Sequence, residues 1–237
     1  PGRLLGWATM PALPSSPAAS AAVVVPVKAF AQAKARLADV LDAPTGAELA
    51  RAMAGTVLRA AGGLPVVVVC DDPEVRAWAE REGAEALWTT GLGLNGAVEA
   101  GVAHLARRGI ERAVVAHADL PLATDLRWVA ETELVTLVPD RHRDGTNVAC
   151  VPTGAGFRFA YGPGSFAAHR AEAARLGLVA RLVTDLRLGW DVDLPADLTP
   201  PAPLRLPSSI AALAAAGSAP DPDPSPEGRD RDPAEVR

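Results

Sequence analysis

An α/β domain with a mostly parallel sheet flanked by helices is the fold class this chain predicts, on three observations. Short, continuously apolar runs recur: Ala21-Ala-Val-Val-Val-Pro-Val27, Pro65-Val-Val-Val-Val-Cys70 and Arg112-Ala-Val-Val-Ala116. Amphipathic helical stretches alternate with them. Lys28, Asp119 and the Asp144–Asn147 segment, which carry chemistry, fall at the ends of strand-like runs. A strand that is apolar at every position is buried on both faces, as in a parallel sheet covered by helices. Alternating strands and helices argue for parallel pairing. Ligands of such sheets bind beyond the carboxyl ends of the strands.

The first strand is expected over 21–27. Lys28, Lys34 and Arg36 follow it, ahead of a helix over about 45–61 in which Thr45 and Glu48 have capping-box spacing. Residues 65–70 form the second strand. Asp71-Asp72-Pro73-Glu74 then offers an N-cap with proline at the first helical position, opening a helix through about Glu82. A short strand over 84–88 precedes Gly91-Leu-Gly-Leu-Asn-Gly96, which leads into a helix to about Arg108. The strand at 112–116 ends in His117-Ala-Asp119-Leu-Pro121. Strands at 134–138 and 148–151, a helix over 164–176 and a strand at 180–184 follow. Asp191-Val-Asp193 comes before a Pro195-Ala-Asp197 turn.

Composition bounds the rest. Residues 1–20, rich in Pro, Ala and Ser, and 207–237, ending in an Asp-Pro-rich tail, are expected to be disordered, because they have too few apolar groups for a core. The body, 21–206, suits one domain. With aromatics at 4%, its core must be Val, Leu and Ala. A net charge of −5 and no basic stripe argue against nucleic acid. No apolar run reaches the roughly 18 residues of a membrane span. The N-terminus lacks the continuous apolar stretch of a signal peptide, and Met10 is a candidate natural start. Cys70 and Cys150, in apolar runs, read as reduced, buried residues of a cytoplasmic protein. The cysteine and histidine spacings contain no metal motif.

Four constellations have chemical promise, each with a plain alternative. Lys28, Lys34 and Arg36 would suit a triphosphate; they could equally be a solvated face. Gly91, Gly93 and Asn95 precede a helix N-terminus, where a nucleotide can sit; alone they are a loop. Asp119, Asp191 and Asp193 could hold Mg²⁺, which prefers carboxylate and phosphate oxygens, or could simply form turns. An Asp-x-Asp puts two carboxylates on one side of an extended chain. Finally, Asp144-Gly-Thr-Asn147 and Gly162-Pro-Gly-Ser165 have the composition of anion cradles, flanked by Arg141, Arg143, His169 and Arg170. Together they suggest a site for a small phosphorylated or carboxylated molecule.

In this order, Val24-Val-Pro-Val-Lys28 with Ala33-Lys-Ala-Arg-Leu37, Gly91-Leu-Gly-Leu-Asn95, Ala118-Asp-Leu-Pro121, Pro139-Asp-Arg-His142 with Gly145-Thr-Asn147, Phe159-Ala-Tyr-Gly-Pro-Gly-Ser-Phe166 with His169, and Asp191-Val-Asp193 with Pro195-Ala-Asp-Leu198 resemble the CofC/FbiD guanylyltransferases of coenzyme F420 biosynthesis. The likeness spans about 24 to 198. It implies a single Rossmann-like nucleotidyltransferase (GT-A-like) domain that joins GMP from GTP to a phosphorylated three-carbon acid. Phosphoenolpyruvate is favoured, with 2-phospho-L-lactate and 3-phosphoglycerate as alternatives. It further implies Mg²⁺ on Asp119 and on Asp191 or Asp193, the acid on Thr146, Gly162 and Ser165, a homodimer, and a downstream transferase of the same pathway. The chain departs from the family's pattern in three places: Ala35 stands where Ser is frequent, Trp88-Thr-Thr90 where Asp or Pro is expected, and Trp190 where a smaller residue is usual. A sugar cytidylyl- or uridylyltransferase is disfavoured by the two small-residue loops. A glycosyltransferase is disfavoured by the late Asp-x-Asp, and a non-catalytic nucleotide binder by acids at separate strand ends.

Overall fold

The computed structural model describes residues 20–216. The start candidate Met10 and the tail beyond 216 lie outside them. Seven strands form one sheet in the order β3-β2-β1-β4-β6-β5-β7: β1 (Ala21–Pro26), β2 (Val66–Cys70), β3 (Glu85–Trp88), β4 (Arg112–Ala116), β5 (Val135–Pro139), β6 (Thr146–Pro152) and β7 (Ala180–Leu182). All neighbours pair in parallel except β6, which runs antiparallel to both β4 and β5.

The β-rich valines explain the layers. In β1, Val23 and Val25 face one core with Val57 and Trp78, while Ala22 and Val24 face the other with Val98, Leu105 and Phe166. Helices α1 (Ala43–Ala60) and α2 (Pro73–Arg81) therefore cover one face, and α3 (Gly93–Arg107) and α4 (Ser165–Arg175) cover the opposite one. Both cysteines are free and buried in this sheet.

Two local expectations need correction. The α1 cap is Asp42, whose carboxylate accepts from Thr45 N at 2.8 Å; Thr45 is already inside the helix, and Glu48 pairs instead with Arg51. The body also continues past Leu206. A further helix, α5 (Ser208–Ala216), packs on α1 through fully buried Ile210, because its Ile-Ala-Ala-Leu stretch supplies the apolar face that the tail beyond it lacks. Ile210 joins Leu37, Leu41, Val192 and the α1 residues Leu49 and Met53 in a third cluster. No helix among the described residues is long and apolar enough to cross a membrane.

Candidate active site

The parallel strands β1, β2 and β4 end on the same side of the sheet, and a cavity of about 410 Å³ opens there. Its lining includes Lys28 and Lys34 after β1, Cys70 and Asp71 at the end of β2, and His117 and Asp119 after β4. Thr89 and Gly93 close the side toward α3.

Lys34 is the hub. It sits in the left-handed region at φ 61°, a conformation costly for a side-chain-bearing residue. There its ammonium reaches Asp119 Oδ2 at 2.9 Å, Asp193 Oδ1 at 3.3 Å and the Val192 carbonyl. Burial pulls the ammonium toward neutrality, but Asp119 and Asp193 outweigh it and hold its pKa above the ordinary lysine value. Burial likewise works against ionised Asp119, and Lys34 with His117 overcomes it, keeping the carboxyl below the usual range. The pair stays ionised.

The Asp-x-Asp does not present both carboxylates to one partner. Asp193 is held by Lys34 and by Arg36, whose Nη1 is 3.5 Å away. Asp191 faces the other way. It accepts from Arg141 Nη1 at 3.3 Å and Asn147 Nδ2 at 3.4 Å, and burial and the charge of Asp119 raise its pKa. That repulsion marks Asp119 and Asp191 as neighbours. Asp119 Oδ1 is buried without a hydrogen-bond partner. Among the described residues no group of three or more His, Cys, Asp or Glu side chains forms a ready-made metal cage; Asp119 and Asp191 are neighbouring carboxylates, while Asp193 is turned to the cations.

The acid loop, residues 191–197, is held by residues whose roles depend on contacts distant in sequence. Arg141 stacks on Trp190 at 4.4 Å and pairs with buried Asp197. Asp197 Oδ2 in turn accepts from the N–H groups of Asp193 and Leu194 at 2.8 and 2.7 Å. Trp190 Nε1 donates to the Asp197 carbonyl at 3.0 Å. The bulky Trp190 thus serves as the plate on which Arg141 rests.

The nucleotide trio is split. Gly93 lines the cavity, whereas Gly91 and Asn95 do not. Asn95 Oδ1 accepts from Tyr161 N at 2.7 Å, tying α3 to the segment before α4. Thr89, named in the sequence only as part of the departing Trp88-Thr-Thr90 stretch, is buried on the cavity wall with its hydroxyl on the Cys70 carbonyl at 3.3 Å.

Thr146, Gly162 and Ser165 do come together. Thr146 N donates to Ser165 Oγ at 3.0 Å and Ser165 N to the Gly162 carbonyl at 3.1 Å. The first loop is not an open cradle, however: Asp140 accepts from the N–H groups of Asp144 and Gly145 at 3.0 and 2.9 Å, and Asp144 Oδ1 takes the Gly164 N–H at 3.1 Å. Asp140 and Asp144 thus take three of the two loops' backbone donors. The trio also lies outside the cavity lining. An aromatic wall links the two: His117 is 4.7 Å from Tyr161, Tyr161 is 4.9 Å from His169, and His169 Nδ1 is 3.0 Å from Thr146 Oγ1. His117 Nε2 and the Tyr161 hydroxyl are buried without hydrogen-bond partners.

A sequence model of the family described as guanylyl transferase CofC like matches residues 21–200, every element from β1 through the acid loop. The chain belongs to this family. Relatives named phosphoenolpyruvate guanylyltransferase are 36% identical in Sphaerobacter thermophilus and 37% identical in Rubrobacter xylanophilus. Each match covers 74% of this chain, with 89% and 90% of those proteins. Among solved structures, a Desulfovibrio desulfuricans protein described as a nucleotide-diphospho-sugar transferase superposes with a TM-score of 0.64 at 17% identity, over 84% of this chain and 98% of that one. A nucleotidyl transferase from Methanothermobacter gives 0.53 at 16% identity, over 75% and 93%. Those identities speak to the fold, that of the nucleotidyltransferases, which CofC-like enzymes share.

Proposed function

We propose that this chain joins GMP from GTP to phosphoenolpyruvate, forming enolpyruvoyl-diphospho-guanosine and releasing diphosphate, in coenzyme F420 biosynthesis. One observation carries the reading: Lys34 pairs with Asp119 where the parallel strands end, in the lining of a ligand-sized cavity that Lys28 shares, with Asp191 as the neighbour of Asp119. The choice of GTP and phosphoenolpyruvate rests on the names of the relatives.

The acid's phosphate oxygen is already an anion, so in-line attack on the α-phosphorus needs no general base and no covalent enzyme intermediate. Catalysis is then positioning and charge neutralisation. Lys34 supplies a positive charge fixed by its carboxylate partners. Lys28, in the cavity lining, and Arg36, beside Asp193, are both exposed and would stabilise departing diphosphate. The partnerless oxygen of Asp119 and its neighbour Asp191 suit a Mg²⁺ ion, which takes one or two carboxylates and completes its shell with phosphates and water. When bound, that ion would lessen the repulsion between the two substrate anions. Thr146, Gly162 and Ser165 hold the acid, and the Gly93 and Thr89 side of the cavity takes the nucleoside. The product's consumer is a transferase of the same pathway.

The test is diphosphate release with each of the four common nucleoside triphosphates, crossed with phosphoenolpyruvate, 2-phospho-L-lactate and 3-phosphoglycerate. GTP with phosphoenolpyruvate should give the highest kcat/KM. No release in any pairing would reject the reading.

A further inference from the structure

The Thr146–Ser165 junction has a hydrogen-bond polarity that follows from one backbone contact. Ala160 N–H donates to His169 Nε2 at 3.0 Å. A ring nitrogen that accepts carries no proton, so the neutral imidazole keeps its proton on Nδ1. The protonated ring is excluded by the same contact, since it would set two N–H groups against each other. Burial acts in the same direction, with the His117 charge adding to it and Glu172 opposing: the His169 pKa falls to about 4. Nδ1 lies 3.0 Å from Thr146 Oγ1, so Nδ1–H donates to the threonine oxygen. Thr146 N–H donates in turn to Ser165 Oγ. Each hydroxyl therefore accepts from the protein and keeps its own hydrogen for a third party, although both residues are buried.

We propose that His169 is a positioning residue of the acceptor subsite: its Nδ1–H tautomer makes the Thr146 hydroxyl an outward donor, alongside Ser165, matched to an anion that can only accept. The opposite tautomer would turn Thr146 into a donor toward the ring and present its lone pairs to the acid, a repulsive contact. The idea rests on the acceptor reading of the junction given above. A merely space-filling His169 is the competing account, since its ring also packs edge-on to Tyr161 and to Phe159 at 5.7 Å.

Two measurements separate these. In the wild-type protein, nitrogen-15 NMR of the imidazole should show His169 protonated at Nδ1 at pH 7 and still neutral at pH 5. An Nε2-protonated ring would overturn the proposal. In the diphosphate assay, His169→Gln can still accept from Ala160 but loses the donor at the Nδ1 position. It should raise KM for phosphoenolpyruvate about tenfold or more, the loss of one hydrogen bond to a charged group, with KM for GTP within about twofold on the same scale. His169→Asn, which places an amide N–H near Nδ1, should recover part of that loss. A Gln variant with wild-type KM for phosphoenolpyruvate would also overturn it. A wild-type protein that turns over no phosphoenolpyruvate would instead remove the functional reading, and the NMR tautomer would still decide the His169 assignment.

Discussion

Asp191 and Asp193 are two residues apart and answer to different partners. Asp193 completes a cationic knot with Lys34 and Arg36. Asp191 shares an acidic corner with Asp119, under Arg141 and Asn147. Asp191→Asn should therefore lower kcat and raise the Mg²⁺ concentration for half-maximal rate by at least about tenfold, the scale of perturbing a metal's ligand environment. Asp193→Asn should leave the Mg²⁺ requirement near wild type and raise KM for GTP. Initial rates against Mg²⁺ for both variants decide it; an Asp191→Asn enzyme with unchanged Mg²⁺ dependence would remove Asp191 from the site. Lys34 and Asp119 were legible in the chain because each follows an apolar strand and strand ends are where such sheets bind ligands. Arg141 and Asp197 were visible only as a cation beside a loop and an acid in a turn; their partners were not, because each is set by a contact 50 or more residues away in sequence.

Elements were read well where the signal was local. The Asp72 cap and Pro73 start of α2 are both present, with Asp72 Oδ1 accepting from Glu74 N and Val75 N. The direction of β6 is not legible in its composition, since a strand buried on both faces has the same composition whichever way it runs. A signal was available: only residues 140–145 separate β5 from β6, too few for a parallel crossover, which needs about a dozen or more. Helix α3 depends on close approach to the sheet. A Cβ on Gly101 would lie 2.8 Å from Val24 Cγ1 and 2.9 Å from Val69 Cγ1, both on stiff β-branched side chains in the core. Alanine is the better helix former by about 1 kcal/mol, yet overpacking costs roughly 1–3 kcal/mol. Gly101→Ala should thus lower the urea midpoint despite its higher helix propensity. An unchanged or higher midpoint would show that α3 has room to move.

Over the whole molecule, the third cluster joins parts of the site that are far apart in sequence. Leu37 closes the Lys34–Arg36 loop, Val192 lies between the two acids, and both pack with Ile210 of α5 against α1. The cationic loop and the acid loop are thus set at their mutual distance by one apolar patch. Ile210→Ala should cost about 2–5 kcal/mol by leaving a cavity and should raise KM for GTP, although Ile210 touches no substrate. Thermal denaturation with steady-state kinetics checks both. A destabilised variant with unaltered KM would confine the cluster to stability.

What the chain determined by itself is what depends on near neighbours: apolar runs that become strands, caps that begin helices, and charged residues that follow strand ends. Family membership was legible for the same reason, since its motifs are short strings in a set order. Tertiary structure alone decided which acid faces which cation, that Asp144 takes the Gly164 N–H and Ser165 the Thr146 N–H, and that His169 keeps its proton on Nδ1. These are matters of distance across the fold, where hydrogen bonds and charges act over a few ångströms whatever the separation in sequence.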